Sequence, residues 1–404
     1  MQPSITRANH DNAVQYTGLE GQLLLDQEDR VLRLLDGATP GGTVVSGTVC
    51  LRGPTEIPVG EPAVYTIKPY SSFDVYEVTA TDGSVTRDGD KVTFTPSTDK
   101  AEFQITCNGI TRRFSPTYSP INLTGTYTEV SGGATGRYGH STTTIGGRMY
   151  VFGGYDNNSD RIDDLWVYDP QTDEWQQLSS GATPRRYHTA VAIGSKMYVF
   201  GGYGNSGYLN DLWVYDPQTD AWQQLSSGAT LRNYQTAVAI DGLMYVFGGR
   251  DSSGGRLNDL WAYNPQTDAW QQLSSGTTPR YGHSAVAIDG LMYVFGGYSG
   301  GYQNDLWVYD PQTDSWQQLS SGATPRNYQT TAAIGSKIYM FGGYDSSGPL
   351  NDLWCYDPQT DTWQQLASGA TGRYYHTAVA ISGKMYIFGG NTNSGRMNDL
   401  WVIS

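Results

Sequence analysis

Six arginines, Arg137, Arg185, Arg232, Arg280, Arg326 and Arg373, recur at near-equal intervals through the last two thirds of the chain. An aspartate recurs with them just before a Leu-Trp pair, at Asp164, Asp211, Asp259, Asp305, Asp352 and Asp399. A ring of planar cations suits the carboxylate or phosphate groups of an acidic glycan, such as sialic acid or uronate. The same spacing lets each arginine pair with its own aspartate, and both readings stand at this point. Three positions after each arginine comes His140, His188, Gln235, His283, Gln329 or His376. Four imidazoles on one ring invite a metal. Glutamine is a poor transition-metal ligand, however, and the spacing is set by a repeat, so no metal or other cofactor is expected. A glycosidase needs two carboxylates facing one bond. The region carrying the arginines has only Glu129 and Glu174 as glutamates, its aspartates recur as turn and rim residues, and no enzyme is expected.

What must position these side chains is an internal repeat. Glycine pairs begin at Gly153, Gly201, Gly248, Gly296, Gly342 and Gly389, each 46 to 48 residues after the last. Every unit reads as four short strands rich in β-branched and aromatic residues. In the second unit these are His188–Ile193, Met197–Phe200, Asp211–Tyr215 and Ala221–Leu225. The third and fourth strands are joined by Asp216-Pro217-Gln218-Thr219-Asp220, with Asp and Pro at the first two places of a type I turn. A four-stranded sheet apolar on both faces must be covered on both, and radial packing around an axis does this while leaving only short edges. The expectation is an all-β chain whose residues 119–404 form a six-bladed β-propeller, with all eleven tryptophans inside the blades. The last unit stops at Ser404 inside its third strand. The segment 127–140 matches 270–283 in length, with Tyr127 standing where Trp270 stands, so a strand at 125–130 is expected to complete the last blade and close the ring.

Antiparallel order puts the loop between second and third strands on one face, beside the segment that carries the arginines. The Asp-Pro-Gln-Thr-Asp turns lie on the other face and are nearly invariant from unit to unit. The second-to-third loops vary: they carry Tyr155, Tyr203, Tyr208, Arg250, Tyr298, Tyr302, Tyr344 and Asn391. Tyr, Arg, Asn, Ser and Gly form the adaptable contact set of binding surfaces, and variable tips on a rigid scaffold usually carry recognition. These eight residues and the six arginines are the candidate ligand-binding face; unconstrained drift of the loops is the competing reading.

The paired glycines after an apolar strand, the Tyr and Trp at fixed offsets behind them, and a period near fifty resemble the kelch repeat over about residues 122 to 404. That resemblance implies a propeller serving more often as a binding platform than as an enzyme. Galactose oxidase shares the architecture but uses a copper site with a Cys-Tyr crosslink. Here Cys355 and Tyr356 are adjacent in one strand and point to opposite faces. Ahead of the repeats, residues 46–118 alternate apolar and polar positions over several candidate strands, with turn dipeptides at Asp82-Gly83 and Asn108-Gly109. This stretch resembles the immunoglobulin-like modules of bacterial surface and phage tail proteins. Residues 1–45 contain a short hairpin pattern ending in a Gly-rich turn, similar to the N-terminal segments of phage tail fibres. Such hairpins must bury an apolar face on something, and the resemblance to fibre families, whose segments pack around a threefold axis, implies a trimer.

Composition bounds the rest. Fifty glycines and thirty tyrosines exclude a disordered chain or a helical bundle, and no three-residue glycine period marks a collagen. A net charge of −14 repels nucleic acid and anionic lipid over most of the surface. No run of 18 apolar residues occurs, and the N-terminus lacks the pattern of a secretory signal, so cytosolic folding without membrane insertion is expected. Cys50, Cys107 and Cys355 match neither a disulfide framework nor a zinc spacing. Cys50 could meet Cys107, but free thiols suit a reducing compartment. With these bounds, the resemblance of residues 1–118 to phage tail segments implies a phage tail fibre or receptor-binding protein of the virion tail, assembled in the host cytoplasm. Its N-terminal segment would join other virion tail proteins, and its propeller would bind a host-surface glycan or protein. The alternatives are a structural decoration or collar protein whose propeller contacts other virion subunits, and a glycan-active enzyme.

Overall fold

The computed structural model describes residues 123–130 and 132–404 continuously and, ahead of them, only residues in strands. It divides into two units, 1–121 and 122–404. In the first, Ile5–Ala8, Gln22–Asp26, Val31–Leu35 and Thr43–Val44 form one sheet in that order, parallel at its first pair and antiparallel at the others. A second sheet has the order Cys50–Arg52, Ala63–Lys68, Lys91–Pro96, Gly83–Asp88. A third runs Ile110–Phe114, Glu102–Cys107, Tyr76–Thr81. The pairing of Cys50 with Cys107 concerns side chains outside the described residues.

The second unit is all-β and built from the repeat. The copy beginning at Thr189–Ile193 continues through Lys196–Gly204 and Gly207–Asp216 to Ala221–Leu225, each strand antiparallel to the one before. The second strand of each copy reads as an unbroken apolar run because both its faces are covered: Met244, Tyr245, Val246 and Phe247 are all buried. Met244 and Val246 pack on Tyr198, Phe200 and Leu212 of the preceding copy. Tyr245 and Phe247 pack on Met292 and Val294 of the next. Fully burying side chains of this size contributes about 1.5–3 kcal/mol each.

Neighbouring copies are also hydrogen-bonded at their rims. Asp220 accepts from Tyr215 Oη in its own copy and from the backbone N–H and hydroxyl of Ser179 in the copy before. Trp222 Nε1 donates to Ser179 O.

The chain ends meet. Tyr127–Val130 pairs antiparallel with Leu400–Ile403, giving the last copy its fourth strand. Met149 and Val151 of the first copy share a core cluster with Val379 and Phe388 of the last. Near the axis a circle of backbone hydrogen bonds links every copy to the one before it. Tyr187, Tyr234, Gly282, Tyr328 and Tyr375 each donate N–H to the equivalent carbonyl of the preceding copy, and Gly139 N–H donates to Tyr375 O.

Candidate recognition face

Arg232 shows how the repeat uses its arginine. The side chain is fully buried, and all five of its N–H donors are occupied. Nη1 donates to Asp259 Oδ1 at 2.8 Å and to Gly248 O, Nη2 to Asp259 Oδ2 at 2.7 Å and to Thr230 Oγ1, and Nε to Thr230 O. Trp261 Nε1 donates to the same carboxylate. The glycine pair exists for this clamp. Gly248 has φ +60 and Gly249 φ +103, a left-handed bulge that turns the first carbonyl onto the guanidinium. A side chain on Gly248 would press on Arg280 O. Burial opposes ionisation of Asp259, but the hydrogen bonds and charge of Arg232 outweigh it and hold the carboxyl below its ordinary range.

The same bidentate pair recurs at Arg137, Arg185, Arg280, Arg326 and Arg373, all fully buried. The expectation that these six arginines meet a ligand is therefore corrected. Their charge is consumed inside the scaffold, and the internal pairing weighed against it is what the structure contains.

The ring of His140, His188, Gln235, His283, Gln329 and His376 is buried as well. His188 Nε2 meets Ser141 Oγ at 2.8 Å and His283 Nε2 meets Thr236 Oγ1 at 2.8 Å, each in the preceding copy. Gln235 Nε2 and Gln329 Nε2 donate instead to Phe200 O and Phe295 O. Both residue types thus join copies. Burial, with the neighbouring arginine second, lowers His283 and His376 to about 3. Among the described residues no group of histidine, cysteine, aspartate and glutamate is placed to hold a metal ion.

Between arginine and histidine lies a position that the sequence reading passed over. It is Gly139, Tyr187, Tyr234, Gly282, Tyr328 and Tyr375 in successive copies, and all six have φ between 56° and 65°. Glycine accepts that backbone freely, whereas a bulky aromatic does so at a cost of roughly 1–2 kcal/mol. The four tyrosines crowd the axis: ring centroids are 4.0 Å apart for Tyr187 with Tyr234 and for Tyr328 with Tyr375. They line a cavity of about 130 Å3 together with the histidine and glutamine ring. Two copies already use glycine here, so Tyr234→Gly is expected to leave the unfolding free energy within about 1 kcal/mol of the parent, measured by denaturant titration. A much larger loss would mean that the tyrosines carry the fold.

The loop tips meet the residues beside the arginines. Tyr138 pairs with Tyr155, Arg186 with Tyr203, Asn233 with Arg250, Tyr281 with Tyr298, Asn327 with Tyr344 and Tyr374 with Asn391. Each tip thus lies against the segment that carries its copy's arginine, and all eight predicted tip residues are partly exposed. Tyr203 stands edge-on to Tyr208 and Tyr298 to Tyr302. Asn391 Nδ2 donates to Tyr374 Oη, and Arg250 lies over the Tyr281 ring. The sequence did not single out Arg161, Arg186 and Arg396, which join this surface: none recurs at a fixed place in every copy, so the comparison between copies gave them no weight.

A family model described as the KLHDC2/KLHL20/DRC7 Kelch-repeats domain matches residues 122–274, 274–372 and 323–404. None of the curated proteins compared matches the chain.

Proposed function

Because the chain belongs to the kelch-repeat family, we propose that residues 122–404 form a closed six-bladed kelch propeller that binds a partner through the face bearing the variable tips. Kelch propellers are in general interaction domains, and one observation carries the choice of face. On one side, each third-to-fourth turn repeats the same cap: Gln218 N–H donates to Asp216 Oδ1, and Gln312, Gln359 and their counterparts do likewise. The other side is aromatic and different in every blade. Its four axial tyrosines accept backbone strain that glycine would avoid, and strain of that kind gathers at functional sites.

The partner in this proposal is a host-surface glycan or protein, and the chain is the receptor-binding part of a phage tail fibre. The N-terminal segment joins other virion tail proteins, most simply as a trimer. The resemblance of residues 1–118 to tail-fibre and immunoglobulin-like segments supports this assignment, and a fibre with several propellers would gain avidity from weak single sites.

The test is adsorption of the labelled full-length protein to a panel of bacterial cells. Binding to some strain is expected, with a loss of about tenfold or more when Tyr203, Arg250 and Tyr298 are replaced together by alanine. Adsorption to no strain, or unchanged adsorption by the triple variant, would overturn the reading. Capture of virion subunits in place of cells would favour a decoration or collar protein.

A further inference from the structure

One edge of this face stacks guanidinium groups and phenol rings alternately. Arg161 lies 4.9 Å from the Tyr203 ring centre, and Arg186 lies 5.9 Å from the same ring. Arg186 is also 4.5 Å from the Tyr155 ring, which Arg396 approaches at 4.8 Å. Arg396 is in turn 5.4 Å from Tyr138. Three cations and three rings thus form a ladder across the first two blades and the last. Hydrogen bonds fix it: Arg186 Nη1 donates to Tyr138 Oη, Arg161 Nη1 to Asn205 Oδ1, and Arg396 Nη1 to Asp156 O.

None of these three arginines has a carboxylate partner among the described residues, where every scaffold arginine has one. The Nε atoms of Arg161 and Arg186 are buried and donate to nothing among the described residues. Three uncompensated cations repel one another, and burying an N–H without an acceptor opposes folding. In a chain of net charge −14, such a cluster has a use only if an anion arrives from outside.

Resting on the binding face proposed above, we infer that the Arg161–Arg186–Arg396 ladder receives the carboxylate of an acidic saccharide. A carboxylate matches the planar fork of arginine. The residues around the ladder choose the rest of the ligand: the exposed tips are Asn157, Asn158, Ser159, Asp160, Asn205 and Ser206, amides and hydroxyls that suit sugar hydroxyls, with a single carboxylate among them. The ring faces are already taken by guanidinium groups. The single exposed large apolar residue among the described ones is Leu231, beside Arg232 in the third copy, so the ladder of the first two blades and the last has no large apolar anchor of its own for a peptide.

Full-length protein would be titrated calorimetrically with an oligogalacturonate and with an oligomer of sialic acid, each beside its carboxyl-reduced form, and with an Asp-rich peptide. At least one carboxylated saccharide is expected to bind, more weakly as salt rises, while its reduced form does not. The two saccharides tell a uronate from a sialic acid. Arg186→Ala is expected to weaken binding about tenfold or more, and Arg186→Lys nearly as much, because an ammonium group cannot stack flat between Tyr155 and Tyr203. Arg148→Ala, on the opposite face and paired with Asp169, leaves binding unchanged, and equal melting temperatures show that the variants are folded. Failure of both saccharides, equal binding of the reduced forms, binding of the peptide alone, or no effect of Arg186→Ala would overturn the inference. Cell adsorption that depends on Tyr203, Arg250 and Tyr298 without any saccharide binding would sink this inference and spare the receptor reading. Saccharide binding without cell adsorption would do the reverse.

Discussion

Arg232→Met is expected to destabilise the propeller by about 3–5 kcal/mol, the usual consequence of removing one partner from a buried ion pair. The Asp259 carboxylate, its side chain 17% exposed, would keep the Trp261 Nε1 hydrogen bond and lose both guanidinium contacts. The carbonyl of Gly248 and the hydroxyl of Thr230 would lose their donors as well. A second variant separates the pair's own worth from the penalty of leaving it broken. In Arg232→Met with Asp259→Leu no charge is stranded, and much of the loss is expected to return, because apolar replacement of an entire buried pair is often neutral. Denaturant midpoints at constant m-value measure both. A single variant losing less than about 1 kcal/mol would show that the pair behaves like a surface salt bridge, contrary to the full burial of Arg232.

The repeat makes this clamp half-legible in the sequence. Equal spacing placed one arginine and one aspartate in every copy, so pairing and ligand contact were both open. Burial decided between them, and burial is a property of the assembled ring that no single repeat contains. The strands, the closing segment at Tyr127 and the uniform turns were readable because each is local: alternating apolar residues, a Pro at a turn, a length match. The axial tyrosines were missed for the opposite reason. Tyr234 sits between Asn233 and Gln235 with nothing in the local sequence to mark it, and its meaning arises only when the copies converge and their φ angles are known. Arg186 was missed because it is unique to its copy, although uniqueness within a repeat is itself a signal: a residue the scaffold does not require in five copies is free to serve a ligand in the sixth.

The histidine ring makes the fold sensitive to acid, and the two glutamine copies provide the remedy. Burial, with Arg280 beside it, lowers His283 to about 3, and His376 to about 3 with Arg373 in the same role. His140 and His188 shift in the same direction. Each histidine is neutral in the folded chain, whereas the unfolded chain protonates it near its ordinary value of about 6.5. The unfolded state therefore binds more protons over the whole interval between. Stability is retained above about pH 6.5 and falls as the pH drops toward 3. At pH 4.5 a single histidine with this shift costs about 2–3 kcal/mol relative to pH 7.5. The paired aspartates, held below their ordinary range, add their loss only at lower pH. Glutamine is already accommodated at the same place, where Gln235 and Gln329 reach a neighbouring carbonyl at 2.9 Å. His283→Gln is therefore expected to be close to neutral at pH 7.5 and to recover about 2 kcal/mol at pH 4.5, with the fourfold glutamine variant nearly flat from pH 7.5 to 4.5. Urea unfolding across that range measures it. A variant that follows the parent curve in parallel would show that the acid sensitivity lies elsewhere, and that His283 titrates in the fold much as it does in the open chain.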